Sequence, residues 1–190
     1  MRTFSRWALS AALAATLGSL AAQAEGQTVK LATTAGDIVV ELDAAKAPKT
    51  VANFVQYVKA GHYNGTVFHR VIENFMIQGG GMTADLKEKP TRAPIALESK
   101  NGLANARGTV SMARTGDPNS ATAQFFINVK DNDRLNAANS PDGNGYAVFG
   151  KVVAGMDVVD KIRAVPTGNK GPYNDVPIDP VTIKQATLEK

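Results

Sequence analysis

The stretch FHRVIENFMIQGGG, residues 68–81, places one arginine within an apolar run and ends in three glycines. Side chains alternate between the two faces of a strand, so Phe68 and Arg70 are expected on one face. His69 and Val71 are then expected on the other face, pointing away from Arg70. Burying a guanidinium among apolar neighbours costs free energy unless the charge is paired or has a function. Glycines let the backbone approach another group closely. The stretch therefore predicts a strand whose arginine either forms a surface ion pair, which is the more common case, or has a function.

A second segment has a similar character. SMAR (residues 111–114) leads into a loop of small and polar residues, and AQFFIN (residues 123–128) follows that loop. Residues 123–128 predict another short strand, which carries Gln124 and Phe126. The two segments are therefore candidates for one shared site.

Three segments, in this order, resemble the signatures of the cyclophilin family. Residues 68–80 resemble the first almost residue for residue, residues 111–113 with 124–127 the second, and YAVFGKVV (146–153) with Gly155-Met156 the third. The similarity extends from about residue 28 to residue 188, and it is greatest to the periplasmic bacterial branch. The resemblance implies a mainly β fold, a closed eight-stranded antiparallel barrel capped by two α-helices. It also implies peptidyl-prolyl cis–trans isomerase activity on the outer face of that barrel.

The resemblance also assigns the site residues. Arg70 takes the place of the catalytic arginine. The resemblance implies a proline pocket lined by Phe75, Met76, Phe126 and Leu135, with polar substrate contacts from Gln78 and Gln124. It implies that Ala113 and Arg114 bind the peptide backbone. Tyr146, which stands where many members carry histidine, forms an aromatic wall. Two further features depart from the family: Arg134 stands where many eukaryotic members carry a tryptophan that helps to bind cyclosporin, and the loop 136–145 is longer.

The chemistry of prolyl isomerisation suits these residue types. The barrier to rotation, about 18–20 kcal/mol, comes from amide resonance, and no bond is made or broken. An enzyme needs only to favour the twisted state over both planar states, so no cofactor or metal is expected. In the twisted state the prolyl nitrogen regains a lone pair, to which a permanently charged arginine can donate a hydrogen bond.

Two other functions remain to be weighed. A holdase chaperone could capture proline-containing segments, with catalysis secondary, but it would need apolar surface rather than a placed arginine. A serine hydrolase would need a nucleophile motif such as GxSxG, which the sequence lacks. The isomerase is the favoured interpretation.

The flanking sequence predicts the remaining elements. Residues 28–33 and 38–42 form a hairpin, and Pro48 opens a helix with Val51, Phe54, Val55 and Val58 on one face. A second helix is expected over residues 156–163. Further strands are expected at 67–72, 75–78, 95–97, 109–112, 125–129, 147–153 and 181–188.

The amino terminus predicts export. Two arginines, an apolar run from Trp7 to Leu20, and Ala22-Gln23-Ala24 match a secretory signal peptide. Residues 1–24 are therefore expected to be cleaved, which leaves residues 25–190 as one isomerase domain in the periplasm, without a membrane anchor. The mature chain then has 19 basic and 17 acidic residues, a net charge of +2, and no basic cluster favours nucleic acid. Its expected partners are proline-containing, unfolded or partly folded exported polypeptides, and a monomer is expected.

Overall fold

The structure is a computed structural model that describes residues 26–189. The predicted signal peptide lies outside the described residues. The described part contains two α-helices, a short 3₁₀-helix and ten strands: α1 (Pro48–Lys59) and α2 (Met156–Arg163); the 3₁₀-helix Asp133–Leu135; and β1 (Thr28–Thr33), β2 (Asp37–Leu42), β3 (Thr66–Ile72), β4 (Met76–Gly79), β5 (Thr109–Met112), β6 (Phe125–Asn128), β7 (Val148–Ala154), β8 (Thr167–Lys170), β9 (Tyr173–Pro177) and β10 (Thr182–Glu189).

Eight of these strands close into an antiparallel barrel. The order around the barrel is β1-β10-β3-β4-β6-β5-β7-β2, and β2 pairs with β1 to complete it. Closure leaves no unpaired barrel edge. The predicted closed eight-stranded antiparallel barrel with two helices is confirmed.

Both helices bury their apolar faces in the barrel core. The predicted face of α1 is buried at all four positions, with Phe54 fully enclosed. Phe54 packs against Phe125 and Phe149, with ring centres 5.5 and 5.0 Å away. In α2, Val158, Val159 and Ile162 join the same core. Neither helix among residues 26–189 is long and apolar enough to cross a membrane.

Strand β3 contains a β-bulge at His69. Phe68 pairs with Gly79 and Arg70 with Gln78, so β3 advances two residues while β4 advances one. The extra residue reverses the alternation. Phe68 and Val71 therefore both face the core, at 0% and 2% exposure, while Arg70 is exposed. The prediction that Phe68 and Arg70 share a face is wrong for this reason.

Two other predictions about strands differ from the structure. Residues 95–97 form no strand, because Ile95 makes only an isolated bridge with Ala121. The chain instead forms a separate two-stranded hairpin, β8–β9, which was not predicted. Its sequence, TGNKGPYNDVP (residues 167–177), shows no apolar alternation, and all of β8 is exposed.

Candidate active site

A cavity of about 460 Å³ opens against the outer face of β3, β4 and β6. All ten residues that the sequence assigned to the site line this cavity: Arg70, Phe75, Met76, Gln78, Ala113, Arg114, Gln124, Phe126, Leu135 and Tyr146. The structure thus brings together residues that are up to 76 positions apart in the chain.

The cavity has an apolar cup. Met76 and Phe126 are 2% and 5% exposed, although neither belongs to the barrel core. The ring of Tyr146 meets the ring of Phe126 edge to face, with centres 5.6 Å apart. Phe75 and Leu135, both half-buried, complete the lining. Such a cup suits a small apolar ring.

Arg70 stands beside this cup, with 44% of its side chain exposed. The β3–β4 register sets it directly opposite Gln78. Gln78 Nε2 in turn donates a hydrogen bond to Gln124 Oε1 over 3.0 Å. A cation and a polar amide pair therefore border the apolar cup.

The third glycine of the opening stretch makes room for this amide pair. A Cβ on Gly81 would lie 2.4 Å from Cγ of Gln124. Any larger residue there would displace the Gln124 side chain, so the third glycine is required by the packing of the site.

The comparisons with known proteins agree with this geometry. The family model described as cyclophilin type peptidyl-prolyl cis-trans isomerase/CLD matches residues 28–188. The chain belongs to the cyclophilin-type peptidyl-prolyl cis-trans isomerases. Rotation about X–Pro peptide bonds is therefore its activity.

Several isomerases of this family are similar along most of their length. Peptidyl-prolyl cis-trans isomerase cyp18 of Streptomyces antibioticus is 60% identical, over 85% of this chain and 98% of the relative. Peptidyl-prolyl cis-trans isomerase B of Escherichia coli is 56% identical, over 82% of this chain and 95% of the relative. A crystal structure of a cyclophilin type isomerase from Cryptosporidium parvum, obtained in the presence of the dipeptide Ala-Pro, superposes with a TM-score of 0.71. That structure is 29% identical and covers 86% of this chain and 99% of its own.

Arg114 occupies an unexpected position in this isomerase. Its guanidinium donates to the carbonyls of Gly145 (2.9 Å) and Thr115 (3.0 Å) and to the carboxylate of Asp142. The side chain is only 4% exposed. Each of the three guanidinium nitrogens thus donates a hydrogen bond within the protein. The main-chain N–H and C=O of Arg114, which make no hydrogen bond with residues 26–189, remain as the groups that can meet a peptide.

Sequence analysis missed His69, Met82 and the segment Pro172–Asp175, all of which line the cavity. The prediction that His69 points away from Arg70 is wrong, because the bulge places both against the same cavity. Burial, and less strongly the charge of Arg70, lower the pKa of His69 to about 4, so the ring is neutral at pH 7. Its Nδ1 makes no hydrogen bond within the described residues.

Proposed function

We propose that Arg70 is the catalytic residue of this isomerase and that the apolar cup holds the substrate proline ring. The observation that carries this proposal is the position of Arg70 at the border of the cup formed by Met76 and Phe126. A proline seated in the cup would place its nitrogen within the reach of a flexible arginine.

The mechanism follows from the amide bond. Twisting the X–Pro bond breaks its resonance, and the prolyl nitrogen becomes pyramidal and basic. The Arg70 guanidinium donates a hydrogen bond to that nitrogen only in the twisted state, and interactions made only there lower the barrier. The cup fixes the ring, so rotation is confined to the carbonyl side.

The neighbouring polar groups fix the peptide on either side of the ring. We assign substrate contacts to the linked amides of Gln78 and Gln124, and to the main chain at Ala113 and Arg114. Holding the flanking backbone removes freedom that the free peptide would otherwise lose on reaching the twisted state.

We further propose that the enzyme works on exported polypeptides in the periplasm, as a monomer. The signal-peptide pattern of residues 1–24 supports this location. Cell fractionation followed by intact-mass measurement tests it. A periplasmic protein that begins at Glu25 is expected, whereas a cytoplasmic protein that retains residues 1–24 would overturn the assignment.

The catalytic role is tested on residues 25–190 with a short Ala-Pro peptide. Arg70→Ala should fold normally and isomerise the peptide at least about 100-fold more slowly, a loss of about 2.7 kcal/mol of transition-state stabilisation. Arg92→Ala, which removes an exposed arginine on another surface, is the matched control and should remain fully active. A folded Arg70→Ala protein with the wild-type rate would disprove the role of Arg70.

The same proteins test the alternative function, a holdase chaperone. If the wild-type protein binds proline peptides and suppresses aggregation without accelerating isomerisation, a proline-binding module is the better account. If Arg70→Ala loses isomerisation but keeps any suppression of aggregation, the two activities are separate.

A further inference from the structure

The β8–β9 hairpin forms one wall of the cavity. It packs against β3, the strand that carries Arg70. Val176 and Pro177 are buried and anchor it, and the N–H of Ile178 bonds to the carbonyl of Pro166 (3.0 Å) at its base. The anchored hairpin thereby holds Pro172–Asp175 against the cavity.

Within this hairpin, Asp175 has an unusual backbone conformation. Its φ is +59°, in the left-handed region, where residues other than glycine are uncommon although Asp and Asn tolerate it best. Such a conformation persists only where the surrounding structure imposes it, and it concentrates at functional sites. In this conformation Oδ2 of Asp175 lies 3.8 Å from Nε of Arg70.

Arg70 has few other constraints. Among residues 26–189, Asp175 is the only acidic residue within 4.0 Å of its guanidinium, and the guanidinium donates no hydrogen bond to these residues. A long and half-exposed side chain is expected to sample several rotamers. A group that stabilises a transition state acts best when it is already held in place.

We propose that Asp175 is a positioning residue that orients the guanidinium of Arg70. This inference rests on the proposed catalytic role of Arg70. The carboxylate approaches closest at Nε, which leaves the two terminal nitrogens to reach the prolyl nitrogen. Because both partners are more than 40% exposed, the ion pair contributes little to stability and is weakened by salt.

The test uses Asp175→Asn, which keeps the shape and the tolerance for positive φ but removes the charge. With an uncharged Ala-Pro peptide, we expect kcat to fall about 5- to 10-fold while KM and thermal stability stay near the wild-type values. Raising the salt concentration should lower the wild-type kcat toward that of Asp175→Asn, whose own kcat should change little. Asp179→Asn removes an exposed carboxylate just beyond β9 and should have no effect.

Two further variants separate the possible causes. Asp175→Gly removes the carboxylate and also relieves the positive φ; it should be as slow as Asp175→Asn. If only the glycine variant is slow, the hairpin conformation matters rather than the charge, and the proposal is overturned. Arg70→Ala is measured alongside. If it is slow while Asp175→Asn matches the wild type, only the positioning role fails; if Arg70→Ala is as fast as the wild type, the proposed function fails as well.

Discussion

The guanidinium carbon of Arg114 lies 4.7 Å from the centre of the Tyr146 ring. Tyr146 meets Phe126 in the apolar cup, so the arginine packs against one wall of the cup. Asp142 holds the other side of the guanidinium and also accepts hydrogen bonds from the N–H groups of Asn144 (2.9 Å) and Gly145 (3.2 Å). The loop 136–145 is thereby connected to the apolar cup through one buried side chain.

We expect the substitution Asp142→Asn to loosen this wall. Loss of the charge weakens the bond to Arg114 and frees Tyr146 to move, which should raise KM for Ala-Pro peptides roughly 3- to 10-fold and change kcat little. Steady-state kinetics measure both. Asp157→Asn removes a carboxylate from an exposed ion pair on α2 and should leave KM unchanged. Equal effects of the two variants would show that Asp142 has no special role.

Much of this site could be predicted because eight of its ten assigned residues lie in two short segments, with Leu135 and Tyr146 outside them. Residues 68–81 and 111–128 carry Arg70, Met76 and Phe126, and their resemblance to one family extends to all of these positions. The same kind of local signal identified the apolar face of α1, because a helix repeats every 3.6 residues.

The remainder depends on contacts that no local pattern reveals. The bulge at His69 adds one residue to β3 without changing the apolar character of the run, so a strict alternation misplaced His69. The hairpin over residues 167–177 is polar and held mainly by its anchored base. The Arg114 guanidinium binds the carboxylate of Asp142, 28 residues away, and this contact depends on the conformation of the loop 136–145.

His69 should make stability depend on pH. Its pKa is about 4 in the folded protein and about 6.5 in the unfolded chain. Between these values the unfolded chain binds a proton that the folded protein does not, so stability is complete above about pH 6.5 and falls as the pH drops toward 4. The loss reaches about 3 kcal/mol at the acidic limit.

Urea unfolding of the wild type and of His69→Gln between pH 7.5 and pH 4 measures this contribution. The variant should lose less stability on acidification. Burial also lowers the pKa of His62, but both proteins contain this residue, so its contribution cancels in the comparison. An NMR titration of the His69 ring gives an independent check. A midpoint near 6.5 for His69 would contradict the expectation.

Arg134 should make cyclosporin a weak ligand. The residue is exposed at the 3₁₀-helix and borders a cleft with Phe75 and Leu135, next to the apolar cup. By the resemblance it stands where many eukaryotic members carry a tryptophan that helps to bind the drug, and a hydrated cation cannot replace an indole against an apolar ligand. Calorimetry should give a dissociation constant well above the nanomolar range, and Arg134→Trp should lower it. Nanomolar binding by the wild type would refute this expectation.

Gly155 should be essential to the junction between β7 and α2. Its φ is +87°, and a Cβ there would lie 2.2 Å from the carbonyl oxygen of Asp37. Its own carbonyl accepts hydrogen bonds from the N–H groups of Val158 and Val159, both at 3.0 Å, which begin the helix. Gly155→Ala must therefore strain the backbone and push β2 aside, at an expected cost of about 2–4 kcal/mol in the free energy of unfolding.

Gly168→Ala is the matched control, because that glycine has no left-handed φ and its Cβ would meet nothing within 4 Å. Urea denaturation of both variants should show a large loss for the first and almost none for the second, and two equal midpoints would mean that the junction can rearrange.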